Sequence, residues 1–157
     1  MKTAGDIINA QDKVIISVSP EATLKEALEI MTAHNYGAIL VIKDGELLGI
    51  WTERDLMKDV LSDGFNINTA QIKDYMTSEL HYAEHNDRVY QLVDKFLGLR
   101  IRHLPVRQEG KFIGMVSSGD VMRRNLEEKR AELNRLNEIV NWEYYENWHW
   151  EPGKKKK

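Results

Sequence analysis

The chain has no cysteine, which excludes disulfides and thiolate metal sites and is compatible with the reducing cytosol. Proline is scarce, three in 157 residues, so no Pro-rich spacer divides the chain. No run of 18 apolar residues occurs, and no basic, apolar and small-residue order marks a signal peptide. The expectation is a cytoplasmic protein without a membrane partner. A net charge of −3 offers no general attraction to nucleic acid or anionic lipid, and the one basic cluster is the terminal Lys154 to Lys157. There is no Walker loop, no Ser-His-Asp order and no spaced carboxylate pair in a supporting context, so neither an enzyme nor a catalytic cofactor is expected. His81 and His85 stand four apart, a metal spacing on a helix, but they fall on an expected strand and its exit. No metal site is therefore expected.

What the sequence does contain, it contains twice. Gly49-Ile50-Trp51-Thr52-Glu53-Arg54-Asp55 is matched 65 residues later by Gly114-Met115-Val116-Ser117-Ser118-Gly119-Asp120. Each copy is a short apolar run ending on a hydroxyl residue, with Asp three positions on and a helical pattern after it. A hydroxyl and a carboxylate thus meet on the first turn of a helix, beside its free backbone N–H groups, where an anion or a sugar diol can be held. The same spacing is that of a capping box, in which the side chains satisfy the helix and bind nothing. Against that simpler reading stand the Asp in place of the usual Glu or Gln, and the position of both copies inside a longer repeat.

The surrounding order also recurs. Val14 to Val18 reads as a strand ended by Ser19-Pro20, and Thr23-Leu24-Lys25-Glu26 opens a helix with a capping box. Leu24, Ala27, Leu28 and Met31 form its buried face. Gly37 to Val41 and Leu47 to Trp51 are strands joined across Asp44-Gly45, and a helix runs from Thr52 to about Leu61. After a polar linker the order returns: strand Leu80 to Ala83, a helix with Val89, Leu92, Val93, Phe96 and Leu97 on one face, and a hairpin of Ile101 to Val106 and Lys111 to Val116 across Glu109-Gly110. A helix starts at Ser117. The lead-ins around Asp6 and Ala70 to Met76 resemble each other. Residues 1–64 are read as the first repeat, 65–125 as the second, and 126–157 as an extension. In that extension Leu126, Leu133 and Val140, with Leu136 between, make an apolar seam. Trp142, Tyr144, Tyr145, Trp148 and Trp150 follow. Such a tail packs on its own body or on a second copy of the chain; acidic residues among the aromatics weigh against nucleic acid.

A tandem β-α-β-β-α repeat with these motifs resembles the cystathionine-β-synthase (CBS) domain pair, or Bateman module. The likeness covers about residues 1–126 and rests also on Val18-Ser19-Pro20-Glu21-Ala22-Thr23-Leu24 and His103-Leu104-Pro105-Val106. It implies an α+β fold with intramolecular pseudo-two-fold symmetry, two clefts between paired sheets, and an adenine nucleotide (AMP, ADP, ATP, or S-adenosylmethionine) as regulatory ligand. By the same resemblance Asp55 and Asp120 take the ribose hydroxyls, a role suited to an ionised, acceptor-only carboxylate. Thr52 and Ser117 touch ribose or the first phosphate. Ile16, Ser17, Tyr36, Gly37 and Ala38 frame one adenine; Leu80, His81, Tyr82, His103 and Leu104 frame the other. Arg54 and Arg102 are the phosphate candidates. The halves differ where Glu84-His85 replaces Ser19-Pro20 and Gly119 replaces Arg54, so the clefts are not equivalent. Arg100, Arg102 and His103 gather positive charge in the second half while Arg54 alone serves the first, and the cleft on which these side chains converge is favoured for a charged nucleotide. The reading is of a non-enzymatic sensor acting through a homodimer or an unidentified protein partner. Its alternative is a ligand-free scaffold assembled through the C-terminal helix and aromatic tail.

Overall fold

The computed structural model describes residues 1–140, apart from the side chains of residues 139 and 140. The expected aromatic segment, the lysine run and the Val140 end of the apolar seam lie outside that description. In chain order the elements are α1 (Ala4–Ala10), β1 (Ser17–Val18), α2 (Leu24–His34), β2 (Ala38–Lys43), β3 (Glu46–Thr52) and α3 (Glu53–Asp59). A 3-10 turn at Ile72–Asp74 leads into β4 (Ala83–Glu84), α4 (Val89–Leu99), β5 (His103–Gln108), β6 (Lys111–Ser117) and α5 (Ser118–Val140). Both sheets have three strands, ordered β1-β2-β3 and β4-β5-β6, with a parallel first pair and an antiparallel hairpin.

The repeat extends to backbone detail. Asn35 and Arg100 end α2 and α4 in the left-handed region, at φ 55° and 54°. The hairpin turns put Asp44 and Gly45, then Glu109 and Gly110, at positive φ, as a two-residue type I′ turn requires. A register shift follows Val41 in one sheet and Val106 in the other. Two expected strands are shorter than the apolar runs that marked them. Of Val14 to Val18 only Ser17–Val18 is strand, and the fourth strand is Ala83–Glu84 rather than Leu80 to Ala83. In each case apolar residues ahead of the strand, Val14, Ile15 and Leu80, line a cleft instead of pairing, while Ile16 is buried in the first core and its carbonyl accepts from Leu40 N at 3.3 Å.

Each lead-in packs on the other repeat. From α1, Ala4 N donates to Asp87 O and Gly5 N to His85 O, both 2.8 Å. From the 3-10 turn, Ile72 N donates to Ala22 O and Lys73 N to Pro20 O, at 2.8 and 3.1 Å. Ala4 and Ile7 complete the core around Leu92, Phe96, Leu104 and Val116. Ile72 completes the one around Leu24, Met31, Ile39 and Trp51. A smaller cluster joins the sheets face to face, with Ala38, Leu40 and Ile50 against Leu80, Phe112 and Met115. Each repeat therefore completes its core with a segment borrowed from its twin.

The motif glycines exist for this crossing. A Cβ on Gly49 would stand 2.5 Å from Met76 Sδ and 2.9 Å from the Thr77 carbonyl oxygen; one on Gly114 would stand 2.8 Å from Ile8 Cδ1. The Ile8 methyl can move, whereas Thr77 is backbone bridged to Ile50. Gly49→Ala is expected to cost about 1–3 kcal/mol and Gly114→Ala less, as read by urea denaturation.

Candidate functional site: two clefts between the repeats

Both motifs form capping boxes. Thr52 Oγ accepts from Asp55 N at 3.3 Å, and Asp55 Oδ2 accepts from Thr52 N and Oγ at 2.9 and 3.0 Å. Ser117 and Asp120 repeat the arrangement, with Ser117 Oγ donating to Asp120 Oδ2 at 2.6 Å and accepting from Asp120 N at 3.2 Å. The shorter Asp closes the box as well as Glu does, so its presence was no argument against a cap. Cap and site are nevertheless compatible. Each box opens on a cleft made with the opposite repeat, and the hydrogen bonds at Asp55 all fall on one of its two oxygens.

The first cleft, about 180 Å³, joins Thr52, Glu53, Arg54 and Asp55 to Thr77, Glu79, Leu80 and His81 and to Arg100, Ile101, Arg102 and His103. Arg54 of the first repeat meets Arg100, Arg102 and His103 of the second here. They are balanced by Glu53, Asp55 and Glu79; Arg102 Nη1 lies 3.7 Å from Glu53 Oε1, both side chains well exposed. The second cleft, about 370 Å³, joins Gly114, Met115, Ser117 and Asp120 to Gln11, Lys13, Val14, Ile15 and Ile16 and to Asn35, Tyr36, Gly37 and Ala38. Gly37 and His103 line both.

Three expected residues are not among those lining the clefts. Ser17 is in β1 with its side chain exposed, Leu104 is wholly buried in the second core, and Tyr82 carries the Arg107 guanidinium over its ring at 5.0 Å. Strand alternation turns Leu104 into the core, away from the clefts, whereas Ser17 shares a sheet face with Leu40, its partner in register, which lines the second cleft. Conversely, Lys13 and Gln11 were missed. Asp120, with a side chain 11% exposed, accepts from Lys13 Nζ at 2.8 Å on each oxygen and from Gln11 Nε2 at 3.2 Å. Nothing in their local sequence marks them, because both lie in a connecting segment and meet Asp120 only through the exchange of lead-ins.

Electrostatics follow the geometry. Burial pushes the Asp120 carboxyl up, but the Lys13 ammonium and the Ser117 hydroxyl and N–H outweigh it and hold the group below the ordinary carboxylate value. Burial, helped by Arg102 and Lys13, lowers His103 against the opposing pull of Glu53 and Asp120, so the imidazole is neutral at neutral pH. Among the described residues no cluster of His, Asp or Glu is arranged to hold a metal ion, and no helix is long and apolar enough to cross a membrane.

The family model of the CBS domain matches residues 4–62 and again 72–127. The chain belongs to the CBS-domain family. Over 127 residues it is 39% identical to the mitochondrial CBS domain-containing protein CBSX3 of Arabidopsis thaliana, across 78% of this chain and 62% of that protein, so it spans under two thirds of that relative's length. A CBS-domain containing protein from Agrobacterium tumefaciens superposes with a TM-score of 0.73 at 33% identity, covering 79% of this chain and 99% of that one. Two more distant CBS structures share the fold at 24% identity. One is CBSX2 in complex with AMP, with a TM-score of 0.68 over 82% of this chain and 99% of that one. The other is a domain pair with 5′-methylthioadenosine and S-adenosyl-L-methionine, with a TM-score of 0.69 over 82% and 98%.

The Lys13–Asp120 pair has a pH signature. Because Asp120 is depressed in the folded state, its ion pair adds stability above the unfolded carboxyl pKa, and this is lost as pH falls through the folded value. With Lys13 about half exposed, solvent screening limits the contribution to roughly 0.2–1 kcal/mol. Lys13→Met should therefore be less stable than wild type by that amount in urea at pH 7, and the difference should shrink as pH falls below the ordinary carboxylate range.

Proposed function

We propose that the chain is a regulatory module that binds an adenine nucleotide between its two repeats and transmits occupancy to a homodimer or a protein partner. One observation carries this reading: each motif carboxylate opens on a cleft whose far wall comes from the opposite repeat. A ligand there touches both halves, so binding favours whichever arrangement of the halves it fits, by no more than its differential affinity. AMP and S-adenosylmethionine in structures of the same fold support an adenine ligand. In this assignment Asp55 and Asp120 accept from the ribose diol, with Thr52 and Ser117 beside the first phosphate. Leu80, His81 and His103 flank one base, and Ile16, Tyr36, Gly37 and Ala38 flank the other. Arg54, Arg100 and Arg102 bring phosphate donors to the Asp55 cleft. This role requires acceptors and donors but no nucleophile, and we assign no catalytic step.

Calorimetric titration with AMP, ADP, ATP and S-adenosylmethionine tests the assignment. Wild type should bind at least one of them. Asp55→Ala and Asp120→Ala should each weaken one class of site by about tenfold or more, since removing an acceptor from two O–H donors forfeits charge-assisted hydrogen bonds. Each variant also loses its helix cap, at about 1 kcal/mol of stability, so titrations belong well below the melting temperature. No binding by any of the four, or wild-type binding by both variants, rejects the assignment.

A second reading has its own observation. Along the single helix α5, Leu126, Leu133 and Leu136 are more than half exposed. An apolar stripe of this kind on a 23-residue helix is suited to a helix of a second copy. If assembly through α5 is a function in itself, Leu133→Glu with Leu136→Glu should halve the mass measured by sedimentation while leaving the fold intact. An unchanged mass would remove α5 from the interface.

A further inference from the structure

The two clefts differ in what already occupies the carboxylate. At Asp55 the side-chain hydrogen bonds come only from its own capping box, and among the described residues it makes no ion pair. At Asp120 both oxygens are held by Lys13 Nζ at 2.8 Å, and Oδ2 also accepts from Gln11 and from Ser117. The difference arises in the segment from lead-in to first strand. It is three residues longer in the first repeat, Ala4 to Val18 against Ile72 to Ala83. The longer version carries Lys13 onto Asp120; the shorter brings Glu79, Leu80 and His81 to the Asp55 cleft.

A ribose diol needs the acceptor sites that the Lys13 ammonium fills. A carboxylate has about four lone-pair positions, and Asp120 Oδ2 is already crowded, so the two O–H donors must displace Nζ. The ammonium is half exposed on a flexible four-carbon stem, and Lys13 also lines a neighbouring hollow that shares Gln11, Lys13 and Asp120 with the cleft. Arg123 and Arg124 line that hollow with Asp12 and Glu127. Arg124 is engaged by Glu127 at 3.1 Å, while Arg123 makes no ion pair among the described residues. With Asp120 taken by ribose, the cations Lys13, Arg123 and Arg124 outnumber the two remaining acids. An anion on the ligand can then replace the carboxylate that Lys13 has lost. A neutral nucleoside leaves the ammonium to water, and a sulfonium ligand adds repulsion.

We propose that Lys13 makes the Asp120 cleft selective for 5′-phosphorylated nucleosides, by exchanging the Asp120 carboxylate for the ligand phosphate as ribose binds. The proposal rests on the ribose-binding reading of Asp120. The Asp55 cleft takes a diol with no ion pair to break, so selection there depends on its arginines and not on Lys13.

Calorimetry with AMP and adenosine in an Asp55→Ala background isolates the Asp120 cleft; Asp55→Asn serves instead if circular dichroism shows the alanine variant unfolded. AMP should bind about tenfold more tightly than adenosine, the worth of one charge-assisted hydrogen bond. Adding Lys13→Met should bring the ratio toward one from both sides, weakening AMP and tightening adenosine, and Lys13→Arg should restore it. In an Asp120→Ala background, Lys13→Met should leave the ratio unchanged. If both compounds bind but the ratio ignores Lys13→Met in the Asp55→Ala background, the role of Lys13 is overturned and the ribose reading stands. If neither compound binds in that background, the ribose reading at Asp120 fails and the proposal fails with it.

Discussion

The structure depends on the crossing of two short segments. α1 and the 3-10 turn each leave their own repeat, donate a pair of backbone hydrogen bonds to the residues ahead of the other repeat's first long helix, and push an isoleucine into its core. A repeat of about 60 residues buries only enough apolar surface to be marginal by itself. Exchange closes both cores at once and makes neither repeat complete without the other. The crossing requires that the third strand of each sheet present bare backbone where the incoming segment passes, and Gly49 and Gly114 supply it. The register shift beside each glycine's strand partner falls at the same place in both sheets.

The glycine that admits the crossing segment lies three residues ahead of the hydroxyl that caps the next helix, which is why the two recur together as one motif. The capping carboxylate then stands at the seam between the repeats, facing the segment that has just crossed. Helix cap and candidate ligand group are one side chain because the helix begins at that seam. An Asp suits both uses. Through one oxygen it reaches the N-cap N–H and hydroxyl, and its short stem keeps the carboxylate against the helix end, where the free N–H groups and the positive end of the dipole favour a negative charge.

Much of this is legible in the residues. Asp44-Gly45 and Glu109-Gly110 identify the hairpins through turn chemistry that few other residues satisfy. Thr23-x-x-Glu26 gives the start of α2 to the residue. What escaped reading depends on contacts distant in sequence. Val14 to Ile16 looks like strand because its residues are β-branched, yet Val14 and Ile15 line a cleft, and the strand proper is only Ser17–Val18, with the Ile16 carbonyl accepting from Leu40 N ahead of it. Leu104 looks like part of a base-binding wall because it stands next to His103, but successive strand residues face opposite ways, and it is core. Lys13 carries no local mark at all; its partner is 107 residues away.

The same crossing governs the asymmetry of the clefts. Counting charge by repeat separates Arg54 in the first from Arg100 and Arg102 in the second and expects each to serve its own half. In the fold each cleft takes its motif from one repeat and its facing wall from the other, so all three arginines collect around Asp55. Around Asp120 the corresponding positions are Gly119, Asn35 and Gly37, none of them charged, and the cation against the carboxylate is Lys13. Two modest differences between duplicated halves thus add in one cleft rather than averaging over both. Once the repeats had exchanged segments, a substitution on either side of the seam could specialise one cleft while leaving the backbone of the other untouched.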